Sequence, residues 1–343
     1  MKHRTFFWFI LPSLAAMIFF IALPIVSVAV QSLFVEHEQI MVEVENCGPF
    51  NCETVLQVDN EATAALQEEA PLGRFNGLGT YTNRKHLALK EVGVAWDETE
   101  TFGAFLSELI NLPFYKALFF TLTYTAIVTP FVITLGLGVA LAVNTLPQLL
   151  KGPTIFVSLL PMIVTPLIGA LILFWMVDAD GIIGATLQKI FNDPNLSMKA
   201  STPLTWIMLI VYGIWSSTPF SFIVFYAGLQ TVPKETLEAA EIDGASRWQA
   251  IRYVVVPYMM PLVVFITLMQ LMDNFRMLEP IVAFSASAKA TSLSWLIFND
   301  LRGGDVQLFG SAGATSILTI LGVAILLTPV LIRTWRDFNR KRA

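Results

Sequence analysis

An all-α membrane protein with six transmembrane helices and an acidic extracytoplasmic insert between the first two is the fold class this sequence predicts. Three observations predict it: six long runs free of charge, basic residues gathered at both chain ends, and a segment of opposite composition after the first run. Of the 343 residues, 55% are hydrophobic and 14% charged, which is too apolar for an ordinary soluble domain. A net charge of -5 without a basic stripe argues against a nucleic-acid partner.

The runs are Phe6 to Phe34, Ala117 to Leu150, Gly152 to Val177, Ala200 to Pro233, Tyr253 to Met272 and Val306 to Ile332. Each reaches the ~20 residues that a helix rising about 1.5 Å per residue needs to cross the hydrocarbon core. They are continuously apolar rather than alternating, so helices are expected and not barrel strands. Lys2 and Arg4 precede the first run, while Arg333, Arg336, Arg340, Lys341 and Arg342 follow the last. Both termini are therefore expected in the cytoplasm, in agreement with an even number of crossings. The first run, at 29 residues, exceeds the apolar core of about 7–15 residues typical of a signal peptide, so a retained helix is expected.

Between the first two runs, residues 35–113 carry 14 acidic and 4 basic side chains, a net of -10 that leaves +5 for the rest of the chain. This contrast sets three regions: 1–34 with the first helix, the insert 35–113, and a core 114–343. Gly73, Asn76-Gly77 and Gly79 signal turns in the insert, and Val55, Leu56, Leu72, Phe75, Leu78, Tyr81, Leu87 and Leu89 are its expected apolar core. Both cysteines, Cys47 and Cys52, fall here, and in an oxidising compartment a disulfide is the expected state. Metal binding would need two more ligands, and His37 and His86 stand at no recognisable spacing.

The three histidines, His3, His37 and His86, all lie outside the centres of the runs, which argues against intramembrane His relays and His-dependent catalysis. No Gly-rich phosphate loop with a following Lys is present, so the chain is not expected to hydrolyse ATP, and neither a catalytic residue nor a cofactor or metal of its own is expected. An ion-coupled transporter commonly keeps a carboxylate near mid-membrane. Here Asp273 and Arg276 sit only at the outer end of the fifth run.

The loop from Gln230 to Pro257 is the most informative stretch. Thr231 is placed to cap a short helix, with Pro233 in its first turn and Glu235 and Glu238 near the positive end of its dipole. Gly244 permits the left-handed turn that ends it, and a second short helix starts near Ser246. Small residues Ala239, Ala240, Gly244 and Ala245 let another protein press close.

Glu238-Ala239-Ala240, Gly244 and Val254-Val255-Val256-Pro257 match the residue types and spacing of the EAA loop in permease subunits of binding-protein-dependent ABC importers. The wider resemblance covers residues 6–34 and 114–335 and is greatest to carbohydrate permeases of the maltose type. It implies the type I ABC importer permease fold and a bacterial inner-membrane location. It also implies a second permease subunit forming a heterodimer, two ATP-binding subunits that hold ATP and Mg, and a periplasmic solute-binding protein touched by the insert. Glu238, Ala239, Ala240, Asp243, Gly244 and Ala245 would then couple to the ATPase.

Recognition of a small sugar-like substrate needs hydroxyl partners and apolar faces at mid-depth. Pro219 is expected to weaken the fourth helix, with Ser217 and Thr218 satisfying freed carbonyls. By the resemblance, Gly213, Ser216, Ser217, Phe220, Gln270, Asn274 and Met277 line the site, and Thr165 and Gly169 contribute. Gln270 with Asn274, and Asp273 with Met277, are each four apart and are expected to share helix faces. Trp215 and Trp175 read equally as belt, core or stacking residues. Arg276 either pairs with Asp273 or meets an anionic solute. The competing readings are an ABC permease for a non-sugar solute, such as a phosphorylated polyol or polyamine, and an ion-coupled secondary transporter.

Overall fold

The structure is a computed structural model that describes residues 3–47, 52–304 and 306–340. Lys2, Lys341 and Arg342, used above for orientation, lie outside the described residues. Two compact units arise: one from residues 1–115 with 296–320, the other from 116–295 with 321–343.

In the first unit, α1 (His3–Met17) passes through a π turn at Ile18–Ala22 into α2 (Leu23–Gln31). None of the residues in the most apolar part of the Phe6–Gln31 span is buried within the chain. The insert then forms two small antiparallel pairs. β1 (Phe34–Val35) pairs with β4 (Arg74–Phe75), and β2 (Met41–Cys47) pairs with β3 (Cys52–Val58). Cys47 and Cys52 are Cα partners in that second register, although their side chains lie outside the described residues. Helices α3 (Asn60–Glu69), α4 (Gly79–Thr82), α5 (Leu89–Glu98) and α6 (Phe102–Asn111) complete the insert. Asp59 caps α3 by accepting from Glu61 and Ala62 N–H at 3.0 Å each.

The apolar core expected for the insert is not what packs. Val55, Leu56, Leu72, Phe75, Leu78 and Leu89 are exposed, and the buried positions are Thr80, His86, Ala88 and Ala95. A two-stranded ribbon has no third layer to cover its side chains, so polar bonds replace apolar packing. His86, fully buried, reaches the start of α18 (Phe309–Arg340). Its Nδ1 is 2.9 Å from Asn83 Oδ1, and its Nε2 is 3.1 Å from both Ser311 O and Thr315 Oγ1. Asn83 Oδ1, which already accepts the Lys85 N–H, and Ser311 O are both acceptors, so a neutral ring, with a single N–H, can donate to only one of them.

Burial lowers the His86 pKa below its ordinary value, against the opposing pull of the Ser311 carbonyl and Asp300. The folded state therefore binds a proton less readily than the unfolded chain. This stabilising contribution is present above the ordinary His value of about 6.5 and is lost as pH falls through the folded one. Hydrogen exchange of the amides of residues 83–88, corrected for intrinsic rates, is expected to quicken from pH 7.5 to 5.5. An unchanged protection factor would refute this.

The second unit is built on α7 (Pro113–Asn144), α8 (Gln148–Ile163), α9 (Pro166–Met176), α10 (Ile182–Phe191), α11 (Thr202–Leu229), α12 (Lys234–Ile242) and α13 (Arg247–Ala250). A π turn at Ile251–Val255, α14 (Val256–Tyr258), α15 (Met260–Phe275), α16 (Glu279–Ala283) and α17 (Leu293–Arg302) follow. The first residues of α7, the larger part of α17 and the first 12 residues of α18 belong to the first unit. Phe120, Tyr124, Val128 and Val132 recur every four residues on one face of α7 and enter a core with Leu209 and Tyr212 of α11 and Ile281 of α16. Further along the same helices, Ala140, Val143, Phe222 and Phe225 meet Met259 and Ile266.

Four helices are long and apolar enough to cross a membrane unbroken: Phe6–Gln31, Pro113–Asn144, Thr202–Leu229 and Phe309–Arg336. The third and fifth apolar runs, expected as single helices, are bent pairs. α8 and α9 meet at 93°, and the α13–α14 segment meets α15 at 67°. Pro166 explains the first corner: it forces Thr165 into extended backbone, φ -61° and ψ 145°, which no helix continues through. Six crossings follow only if each bent pair is one span.

Candidate functional site

The residues expected from the sequence to form the coupling surface and the solute site make two sets, and both lie within the second unit. The first is the exposed elbow α12–α13. Pro233, rather than Thr231, stands at the N-cap of α12, and it offers no side-chain cap. Thr231 instead turns back one turn and donates to Gly228 O at 2.8 Å, because its hydroxyl finds the last free carbonyls of α11 before it can reach α12. Glu235 lies in the first turn. At the far end Gly244 takes φ +76°, and the Ala245 N–H reaches Ala240 O at 2.9 Å, closing the helix. Ser246 and Gln249 form a capping box that starts α13. Glu238, Ala239, Asp243 and Gly244 are exposed, and Ala240 and Ala245 half-buried. Around them Ile242 is 86% and Trp248 68% exposed. Two exposed apolar side chains of this size, set among charges on an elbow held by the Gly244 turn and the Ser246 capping box, form a candidate contact surface.

The second set lies on α11 and α15, which pack together. Gly213 is buried, and a Cβ there would collide with Tyr124 Oη and stand 2.8 Å from its Cζ. Its role in this chain is to let α7 and α11 approach. α11 runs unbroken through Pro219, so the expected weakening does not occur. Thr218 Oγ1 donates to Ile214 O at 2.6 Å and Ser216 Oγ to Gly213 O at 3.3 Å. The hydroxyls therefore bond carbonyls one turn back, and Ser217 is half-buried without a side-chain bond among the described residues. Phe220 meets Phe265 of α15 with ring centroids 6.5 Å apart.

On α15 Gln270 and Asn274 share the inward face, as expected. Asn274 Nδ2 donates to Thr129 Oγ1 of α7 at 3.2 Å, whereas Gln270 Oε1 is buried with no partner. Asp273 and Met277 do not share a face. α15 ends at Phe275, and Arg276 leaves the helix with ψ 15°, so Met277 turns into the core and accepts from Ser292 Oγ through its carbonyl. Asp273 is exposed and pairs with Arg276 at 2.8 Å. Gly169 is buried near the Tyr212 hydroxyl, which donates to Pro166 O at 2.7 Å. Thr165 is the N-cap of α9 without a side-chain bond. Trp175 is exposed, and Trp215 edges an apolar groove of about 470 Å³ with Phe131, Thr218, Pro219 and Phe222.

Ser221 was not among the residues singled out from the sequence. Its Oγ is buried and unpartnered, like Gln270 Oε1. Its position, one turn beyond Ser217 in the same helix, was the available signal. Orphaned buried polar atoms cost about 1–3 kcal/mol each, so replacing the Gln270 amide by an apolar group of similar size is not expected to cost stability. Gln270→Met is thus expected to leave the thermal midpoint equal or higher while solute-stimulated ATP hydrolysis by the assembled transporter drops. A lowered midpoint with unchanged stimulation would show that the amide is structural.

Comparison with known proteins bears on the family and the fold. A model of the family described as binding-protein-dependent transport system inner membrane component matches residues 102–337. A probable ABC transporter permease protein of Pyrococcus horikoshii is 33% identical over 171 residues, 49% of this chain and 58% of that protein, which is under two thirds of its length. The trehalose/maltose transport system permease protein MalF of Thermococcus litoralis is 27% identical over 251 residues, 68% of this chain and 78% of that one. Among solved structures, a chain in a crystal structure of a bacterial alginate ABC transporter in complex with alginate pentasaccharide-bound periplasmic protein superposes with a TM-score of 0.54 at 20% identity. It covers 71% of this chain and 85% of that chain. At that identity the likeness is one of fold.

Proposed function

Since this chain belongs to the family of binding-protein-dependent transport system inner membrane components, we propose that it is the permease subunit of an ATP-driven importer for a neutral sugar, polyol or sugar derivative. Each bent pair counts as one crossing in this reading, which gives six, with both termini in the cytoplasm and residues 35–113 outside. The chain pairs with a second permease, two ATP-hydrolysing subunits and a periplasmic solute-binding protein, and ATP hydrolysis belongs to the partner subunits. The observation that carries the reading is the elbow: Gly244 at positive φ and the Ser246–Gln249 capping box hold Ile242 and Trp248 out into solvent. Closure of the ATPase pair pushes on that elbow and is passed along the 67° corner into α15, the helix that carries Gln270 and Asn274.

Several features support a polar, uncharged solute. Ser221 and Gln270 offer a hydroxyl and an amide carbonyl left without partners, groups suited to sugar hydroxyls. Arg276, the cation nearest to them along α15, already pairs with Asp273. In the insert, Cys47 and Cys52 are register partners of an antiparallel pair, and opposed positions of such a pair generally stand about 4.5–5.5 Å apart at Cα, a spacing a disulfide accepts, which supports an oxidising side. The test is reconstitution of the complete transporter in proteoliposomes with its binding protein. Uptake is expected only with ATP, and calorimetry of the binding protein is expected to show neutral ligands binding and anionic analogues not. Uptake by this chain alone without ATP would overturn the importer reading, and anionic preference would overturn the solute class.

A further inference from the structure

The last two helices of the insert are two-faced. On α6, Phe102, Phe105, Leu106, Leu109 and Ile110 recur at i, i+3, i+4, i+7 and i+8, which gathers them on one side. Phe105 takes the Trp96 ring of α5 edge-on at 5.2 Å and lies 6.3 Å from Phe102. This aromatic cluster is uncovered, with Trp96 63% and Phe102 72% exposed. The same helix pair also bears a cleft of about 380 Å³ lined by Arg84, Lys90, Glu91, Glu98 and Glu108. The pair thus bears both a cluster of rings and a cleft where charged side chains gather beside Val94, Ala95 and Leu112.

Only Leu112 separates α6 from α7, an unbroken apolar helix of 32 residues. If α7 crosses the membrane, α6 is held at the boundary between headgroups and acyl chains by its covalent connection. Amphipathic helices and exposed Trp and Phe side chains partition to that depth. From this geometry we infer that the Trp96–Phe102–Phe105–Leu106 face of the α5–α6 pair seats in the outer leaflet of the bilayer. The insert is then divided in use: α5–α6 rests on lipid, and the β2–β3 ribbon and α3 are left for a protein partner. The surrounding charge is acidic, so the attachment works by apolar burial and favours zwitterionic over anionic headgroups.

The inference rests on α7 being a membrane span but not on the identity of the solute or on ATP coupling, so failure of either leaves it standing. The experiment uses the assembled transporter in phosphatidylcholine nanodiscs, on a Cys47→Ser, Cys52→Ser background that retains uptake. Spin labels are placed by Phe102→Cys, Leu106→Cys and, on the opposite side of α6, Ser107→Cys. Collision with oxygen, which concentrates in acyl chains, is compared with collision with a water-soluble nickel chelate. The oxygen-to-nickel ratio is expected to be several-fold higher at 102 and 106 than at 107. Equal ratios would mean that the face is in water, and labels at 102 and 106 shielded from both reagents would mean that protein covers it; either result overturns the inference.

Discussion

Gly244→Val is expected to abolish solute uptake while the permease still folds and inserts. Gly244 sits at φ +76° with nothing within 4 Å of where a Cβ would stand, so the substitution meets no steric wall and acts through the backbone alone. A non-glycine residue in the left-handed region costs roughly 1–2 kcal/mol, enough to lower the population of the native turn about 5- to 30-fold. A β-branched residue is a clearer outlier still. The turn then relaxes, and Ile242 and Trp248 no longer stand at the angle that Gly244 and the capping box impose. A graded series separates this from lost contact: Gly244→Asn, which tolerates the left-handed region, should be mildest, Gly244→Ala intermediate and Gly244→Val worst. Uptake and solute-stimulated ATP hydrolysis in proteoliposomes read the series, and co-purification with the ATPase reads assembly. Equal loss in Asn and Val variants would defeat the backbone account, and wild-type uptake by the Val variant would defeat the coupling role of the elbow.

Gly213→Val is expected to lower stability rather than to alter solute choice. The new side chain would enter the Tyr124 hydroxyl inside the α7–α11 contact, where both residues are buried, and overpacking of a tight core typically costs about 1–3 kcal/mol. Because the nearest atom is the hydroxyl, Tyr124→Phe should restore part of the loss. The ring Cζ at 2.8 Å remains too close for full rescue. Thermal unfolding of the single and double variants in detergent measures this coupling. Additive effects, or a Gly213→Val variant with native stability and changed solute specificity, would return Gly213 to the solute site.

The elbow was legible in the sequence because local rules govern it. A glycine after Glu241-Ile242-Asp243 and a serine three residues before Gln249 specify a left-handed stop and a capping box without help from distant residues. Thr231 was misread because a cap is a competition, and the end of α11 lies closer to its hydroxyl than α12 does. The apolar runs were legible for their length, but the corners at Thr165 and Met259 were not placed, since a run of hydropathy carries no direction. The face of Met277 depended on where α15 stops, which Arg276 decides through its backbone and not its spacing. Ser221 and Gln270 stand out only once the bonds of their neighbours are known. The insert was least legible: its burial falls on Thr80, His86 and two alanines, and the bonds of His86 to α18 are ones that no periodicity announces.

The 93° corner between α8 and α9 bears on how the chain enters a membrane. α8 has 16 residues and α9 has 11, so they are about 24 Å and 16 Å long, each short of the ~30 Å hydrocarbon core. Neither spans the core alone, although together they form one continuous apolar run, and bent they present backbone at the corner that lipid cannot satisfy. α8 packs on α11, and α9 on α11 and α16, all synthesised later. The ribosome therefore delivers this segment before its supports exist, and the corner is expected to close only as those later helices pack against it.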